Sequence, residues 1–487
     1  MNSIIIITIL AVVLLFLGVY KKTSILLPVA VIGLLGALAS QIATWNTNLY
    51  YFNQMVLFDN FSIVFSSLTI ITTILIIILS KGYFEKISND VAEYLALILF
   101  ALVGVLCMVS FQNLTMLFIG IEIMSISMYA LAGIRKKDLA SNEAALKYFL
   151  MGSFATAFLM FGIALIYGFT GTFNLDQIAA AVGMSNGVIA PLFYTGILFI
   201  LVGMLFKISA APFHFWAPDV YEGAPSLITL FMSTVVKTAS FAAFIRLFIT
   251  CFASLATYLT PTLWIIALLT ISIGNLSALK QYSFKRMLAY SSISHAGYML
   301  LAILAIGPNS SKAIFIYASA YSIASITAFA IFIKVKEIVK SDSFEAFNGL
   351  GKRNPGMALA LTIAMCSLAG IPLTAGFFGK FYIFTNAMAQ NYYVLVLLAI
   401  VNAVIGIWYY FKVIIAMYMK QSLDNSPIEA RGNMALVLFI TTMATIILGI
   451  FPSILFYASN NTINAWVHET WIHGIANLKS MQSLLKF

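Results

Sequence analysis

The chain has 487 residues, 62% of them hydrophobic and only 9% charged, with a formal net charge of +10. Soluble domains carry about 25% charged residues, so this composition excludes a soluble globular protein and indicates a polytopic membrane protein. Cys107, Cys251 and Cys366 are far apart, the four histidines are scattered, and neither a Walker loop nor a strand-linked G-x-G-x-x-G occurs. These spacings offer no disulfide framework, iron–sulfur site, metal site or nucleotide site. The first apolar run has no basic n-region and no clear cleavage site, so it reads as a mature helix.

Apolar runs long enough to span a bilayer recur at about 3–20, 24–43, 58–80, 91–111, 113–133, 143–168, 190–216, 224–250, 258–279, 285–306, 312–335, 355–388, 391–419 and 432–457. They predict an all-α protein of about fourteen transmembrane helices. The connection from Thr44 to Leu57 is polar and aromatic but uncharged. Two stretches read as interfacial: Gly171 to Gly187, and an amphipathic tail from Asn460 to Phe487.

Basic residues alternate between connections and set an orientation. Lys21 and Lys22, Lys81 and Lys86, and Arg135 to Lys137 fall in odd-numbered connections. So do Lys280, Lys285 and Arg286, the cluster from Lys334 to Arg353, and Lys420 with Arg431. Even-numbered connections carry almost none, Lys312 excepted. Odd connections are therefore expected in the cytoplasm and both termini on the opposite face, which also explains the net charge without nucleic acid.

Few ionisable groups remain inside the predicted spans: Glu122, Lys147, Lys207, Lys237, Arg246, His295, Lys380 and Lys412, with His214 close by. One acid among several bases argues against an oxygen-ligand cage for a hard cation. It suits a proton carrier, because buried amines exchange protons more readily than solvated ones. Asn275, Ser291, Ser325 and Asn402 are placed to hold water between such groups.

The seventh helix carries Lys207 in its apolar run and Pro212 five residues later. A lysine deep in hydrocarbon costs at least roughly 2.5 kcal/mol, and a proline frees backbone groups that protein or water must satisfy. The two together indicate a hydrated, protein-lined site; the alternative is a snorkelling lysine beside a packing kink. A second interruption lies at 367–386, with Pro372, Gly370, Gly376 and Gly379 followed by Lys380. The breaks fall in helices seven and twelve, an odd offset. Paired interrupted helices in oppositely inserted units point to a transport path. The expected units are two inverted five-helix repeats, helices four to eight and nine to thirteen. Domain boundaries follow: 1–90 for the first three helices, 91–250 and 255–420 for the repeats, 421–487 for helix fourteen and the tail. By this symmetry Lys237 corresponds to Lys412, and Glu122 is set against the tenth helix with His295, Ser291 and Ser292. Lys207 and Lys380 do not mirror each other about their prolines.

Four stretches carry a family resemblance: G-I-E-I-M-S at 120–125, K-I-S-A-A-P-F-H-F-W-A-P-D-V-Y-E-G-A-P at 207–225, K-R-M-L-A-Y-S-S-I-S-H-A-G-Y at 285–298, and S-L-A-G-I-P-L-T-A-G-F-F-G-K-F at 367–381. They resemble the antiporter-like membrane subunits of proton-pumping NADH–quinone oxidoreductase, respiratory complex I, over essentially the whole chain. The form P-D-V-Y-E-G-A-P and the absence of room for a long lateral helix point to one branch of these subunits. The resemblance implies a fourteen-helix subunit with a proton path along a hydrated central axis. It implies that Glu122, Lys207, Lys237 and Lys380 are the acid and bases of that path, with Lys147 at a further position of the motif. It places redox cofactors (NADH, flavin, iron–sulfur clusters and quinone) in other subunits and none in this chain. Its implied partners are the small subunits K and J on one side, the antiporter-like subunit M on the other, and the lipid of a bacterial inner membrane.

The expected mechanism follows from both readings. Glu122 and Lys207 form an ion pair, and separation of the pair releases the lysine proton. The proton then passes by water to Lys237, past His295, to Lys380 and out, with Lys147 competing for Glu122. Quinone reduction elsewhere drives the cycle. Plainer roles stand beside these. Lys147 lies near a helix start and can snorkel, Arg246 can anchor the non-cytoplasmic end, and His214 can cap freed carbonyls. His295 can be a satisfied core residue, and Asp219 and Glu222 can shape a loop or meet a neighbouring subunit. The competing functions are a sodium–proton antiporter subunit and a membrane subunit of an energy-converting hydrogenase.

Overall fold

The computed structural model describes residues 1–20, 23–184, 190–307, 309–422 and 427–457. Lys21, Lys22, the end of the stretch at 171–187 and the tail from Asn460 lie outside the described residues. The first helices are α1 (Asn2–Val19), α2 (Thr23–Ile42), α3 (Asn60–Leu79), α4 (Val91–Ser110), α5 (Leu114–Ala132) and α6 (Leu139–Thr170). A short amphipathic helix α7 (Leu175–Met184) follows, with Leu175 and Ile178 fully buried. The seventh predicted span is α8 (Pro191–Lys207), an irregular break, and α9 (Trp216–Gly223). The eighth is one continuous rod made of α10 (Ser226–Phe231), a turn of π-helix (Met232–Val236) and α11 (Lys237–Cys251). Next come α12 (Ala256–Leu279), α13 (Phe284–Leu304), α14 (Ser310–Val339) and the single turn α15 (Leu350–Arg353). The chain then forms α16 (Pro355–Ala369), a second break, α17 (Ala375–Ala389), α18 (Tyr393–Met419) and α19 (Asn433–Ile450).

Every predicted span has its helix, because hydropathy over a bilayer-length run is the strongest signal in such a chain. Among the described residues twelve helices are long and apolar enough to cross a membrane, and the shorter Pro191–Lys207 and Pro355–Ala369 head the two interrupted segments. One element escaped the pattern. The connection after α2 folds back as a hairpin, β1 (Leu49–Tyr51) on β2 (Val56–Phe58), with Tyr50 opposite Leu57.

Local chemistry sets the helix ends. Asp59 caps α3 through a reciprocal box with Ser62, and Asn113, Asp138, Ser283 and Asn354 each accept from a first-turn amide of α5, α6, α13 and α16. Gly171 and Gly370 close α6 and α16 in the left-handed conformation. Both broken helices stop well before their prolines: α8 ends at Lys207 rather than beside Pro212, and α16 at Ala369 rather than beside Pro372. The residue before a proline is already driven out of the helical region, so each break opens upstream. Each break also holds a non-glycine residue with positive φ, Ser209 at 60° and Leu373 at 69°. Such backbone costs on the order of 1 kcal/mol or more and collects at functional sites.

Burial is uneven in a telling way. The α10–α11 rod is wholly enclosed and α13 and α14 are mostly buried, whereas α1 and α2 are largely uncovered. The central helices are thus the ones that carry Lys237, His295, Tyr317 and Tyr321. Lipid offers no hydrophobic drive for helix association, so close backbone approach matters. A Cβ on Gly376 would fall 1.8 Å from the carbonyl oxygen of Ser367. Gly376→Ala should therefore destabilise the second break by about 1–3 kcal/mol or more, read as a lowered thermal midpoint of the purified protein. An unchanged midpoint would show that the break has slack.

Candidate functional site

Lys207 ends α8 and is buried, with 4% residue exposure. Its Nζ donates to Ser125 Oγ on α5 at 2.7 Å, and that hydroxyl in turn donates to the carbonyl of Ile121. The ammonium also lies 5.9 Å from the ring centres of Tyr129 and Phe206. Glu122, Ser125 and Tyr129 occupy one stripe of α5 at helical spacing. Glu122 Oε1 and the Tyr129 hydroxyl are buried without a hydrogen-bond partner among the described residues. The expected direct ion pair is therefore not formed here: no Glu122–Lys207 contact lies within 4.0 Å, and Ser125 takes the ammonium. The amine needs an acceptor close to its helix end, and Ser125 is one turn nearer than the carboxylate.

Lys147 does not compete for Glu122. Its Nζ lies 2.8 Å from Asp219 and 2.7 Å from Glu143. Asp219 also reaches Arg286 at 3.1 Å, and Glu222 pairs with Arg286. These acids do more than shape a loop. They join α9 to α6 on one side and to α13 on the other. Lys285, read from sequence as a loop base, is buried and donates to the carbonyls of Glu222 (2.9 Å) and Ala224. These are the last carbonyls of α9, which lack helical partners. At the first break the carbonyl of Phe206 accepts from the Ser209 amide at 3.0 Å and from the Trp216 indole at 3.1 Å, not from His214, whose Nδ1 is buried without a partner among the described residues.

Lys237 opens α11, just past the π-helical turn, and donates to both the carbonyl (2.7 Å) and the hydroxyl (2.5 Å) of Ser292 on α13. Three residues on, His295 shares hydrogen bonds with Tyr317 through Nδ1 at 2.6 Å and with Tyr410 through Nε2 at 3.0 Å. Tyr410 also meets Ser291 at 2.5 Å. Helix α5, which carries Glu122, packs chiefly on α4 and α6. Two further buried tyrosines lie in this region: Tyr321 packs against His295 with ring centres 4.8 Å apart, and Tyr221 against Trp216 at 5.9 Å. Beyond His295 a small cavity, with room for about one water, is lined by Tyr317, Tyr321, Ser367 and Lys380. Lys380 Nζ donates back across the second break to the carbonyls of Leu368 (3.1 Å) and Ala369 (2.6 Å).

The polar groups therefore gather at the enclosed centre: Lys207 on Ser125, Lys237 on Ser292 beside His295 and its tyrosines, and Lys380 sharing a small cavity with His295. Such groups exchange protons with one another directly or through single waters. The tyrosines were missed from sequence, since an aromatic residue in a span reads as packing or interface. Buried tyrosine hydroxyls seek partners, and the serines of the 285–298 motif were the available clue. Lys412 caps the carbonyl of Leu279 at 2.7 Å, a different contact from that of Lys237. Arg246 is no snorkelling anchor: it is fully buried, 2.5 Å from Asp59, with Nη1 on the carbonyl of Phe111 at 3.3 Å.

Residues 110–406 match the family described as NADH:quinone oxidoreductase/Mrp antiporter, transmembrane. The chain belongs to this antiporter-like membrane family. Its relatives in the family include subunit N of NADH-quinone oxidoreductase from Cytophaga hutchinsonii, 42% identical over 95% of this chain and 100% of that protein. Subunit N from Flavobacterium psychrophilum is 40% identical over 93% of this chain and 99% of that one. A chain of Thermus thermophilus respiratory complex I superposes with a TM-score of 0.78 at 32% identity, covering 93% of this chain and 97% of that one. A chain of an archaeal membrane-bound sulfane sulfur reductase gives 0.84 at 27%, over 98% of this chain and 100% of that one. A chain of the Dietzia Mrp complex gives 0.84 at 20% identity over 98% and 100%, a likeness of fold. As a family member, this chain is an antiporter-like, multi-span membrane subunit of NADH-quinone oxidoreductase, and the branch indicated by P-D-V-Y-E-G-A-P is subunit N.

Proposed function

We propose that this subunit translocates protons across a bacterial inner membrane, driven by quinone reduction elsewhere in its complex. The single observation that supports the reading is the set of buried exchangeable groups at the enclosed centre, Lys207 on Ser125, Lys237 on Ser292, and His295 with Lys380 around one small cavity. In this reading Lys207 is loaded beside Glu122, with Ser125 holding the ammonium. The proton moves through Tyr221 and Ser292 to Lys237, and through His295 and the cavity to Lys380. Lys147, with Asp219 and Arg286, sets the position of α9 rather than the charge of Glu122.

The redox cofactors and quinone sit in other subunits, and this chain binds none. Its neighbours are the small subunits K and J and the antiporter-like subunit M, and both termini face away from the cytoplasm. Two inverted units, helices four to eight and nine to thirteen, frame the path. The paired breaks support this, as does a close approach of neighbouring helices in each unit: Gly104 against Gly120 between α4 and α5, and Gly274 against Ser294 with Gly297 against Ile271 between α12 and α13. The bacterial subunit N relatives support the setting.

The test is protons moved per electron by the complex in sealed vesicles. Glu122→Gln or Lys207→Ala should lower the ratio by the whole share of this subunit while the complex remains assembled. Normal pumping in either variant would remove the pair from the path.

A further inference from the structure

The ends of α3, α5 and α14 and the start of α19 enclose a cavity of about 1380 Å³. Nine lysine and arginine side chains line it against four carboxylates. Most of those carboxylates are already paired: Glu337 with Lys86 at 2.6 Å and Lys334 at 3.6 Å, Asp138 with Arg135 at 3.8 Å, and Glu429 with Arg431. Lys81, Lys136, Lys137 and Lys340 are exposed and meet no carboxylate within 4.0 Å among the described residues.

Positive loops at one face follow from topology alone. Their enclosure around a deep basin does not. Along α14 the lining runs from Lys340 back to Ala330, roughly 15 Å down the helix axis. Leu79, Ile134, Ile333 and Met434 line the cavity where the spanning helices begin or end. The basin is thus cationic at the mouth and apolar toward the bilayer. An acidic peptide would be matched by the mouth alone. A molecule with a phosphodiester head and an apolar body is matched by both.

We propose that this basin binds an anionic phospholipid, with its phosphate at Lys81, Lys136 and Lys137 and its apolar part against Ile134 and Ile333. Basic pockets between membrane helices are suited to such head groups, and each lysine near an anionic lipid surface adds about fivefold in affinity. The site is separate from the proton series and does not depend on it.

The test uses the intact purified complex and a photoactivatable phosphatidylglycerol, with labelled peptides mapped by mass spectrometry. Labelling should fall within residues 78–90 and 134–138. Unlabelled diphosphatidylglycerol or phosphatidylglycerol should compete; phosphatidylethanolamine and inorganic phosphate should not. The triple change Lys81→Gln, Lys136→Gln, Lys137→Gln should weaken binding roughly 100-fold. The matching arginine triple should keep it, and Lys280→Gln, outside the basin, should leave it unchanged. Equal labelling in the glutamine triple would overturn the proposal. So would competition by inorganic phosphate, which would mark a soluble-anion site. Carbodiimide cross-links from Lys136 or Lys137 to a carboxylate of a neighbouring subunit would overturn it too, by showing that protein fills the basin. The competition series in the unmodified complex decides the matter even if the glutamine triple fails to assemble.

Discussion

Arg246→Ala should destabilise the subunit by about 3–5 kcal/mol, enough to deplete it from the assembled complex. The guanidinium is fully buried and pairs with Asp59 at 2.5 Å, with its carbon 4.8 Å from the centre of the Phe61 ring. Removing it leaves the Asp59 carboxylate buried without its counter-ion. Asp59 also caps α3, so the pair ties the start of α3 to the far end of α11, and the bond to Phe111 adds the end of α4. The two charges should be costly singly and cheap together. In the double variant Asp59→Asn, Arg246→Met, asparagine keeps the cap and no buried charge remains, so most of the loss should return. Subunit level and thermal midpoint of the detergent-purified complex measure both. If the double variant is as unstable as Arg246→Ala, the ion pair is not what holds these helices.

Lys237→Ala should cut proton flux through this chain by at least about 100-fold, the scale on which a positioned proton donor contributes. The amine donates to both the carbonyl and the hydroxyl of Ser292 and is the only lysine on the enclosed rod of α10 and α11. A structural role would give the same result through misfolding, so the decisive variant is Lys237→Arg. Arginine restores a buried cation and its hydrogen bonds but does not give up its proton in proteins. The arginine variant should assemble and still fail to pump. Pumping restored by arginine would mean that Lys237 only holds α13 in place. Proton uptake per electron in sealed vesicles, beside the amount of assembled complex, separates the two.

The membrane spans were legible because a bilayer imposes length and hydropathy on every crossing. The two breaks were legible because proline and clustered glycine have few other uses inside a span. What could not be read was pairing across the fold. Asp59 and Arg246 are far apart in the chain, and nothing in either helix marks the other. Lys285 looked like one more loop base, yet it is buried on the last carbonyls of α9. Lys147 and Glu122 lie in neighbouring helices, and only three dimensions show that Asp219 takes the lysine. Ser125 stood inside a motif singled out for its glutamate, and the partner of Lys207 was the serine at its end. Charge inventory thus picked out the buried ionisable groups, and side-chain pairing gave their contacts.

The π-helical turn at Met232–Val236 has a consequence for anyone scanning the eighth span. A turn closed by i→i+5 bonds takes in one residue more than an α-turn, and each residue advances the azimuth by about 100°. Beyond it, Lys237 and Arg246 are therefore out of register with any wheel drawn from Ser226. A cysteine or spin-label scan along 226–251 should show its accessibility wave jump in phase near 234, and relatives that lack the extra residue would align here only across a one-residue gap.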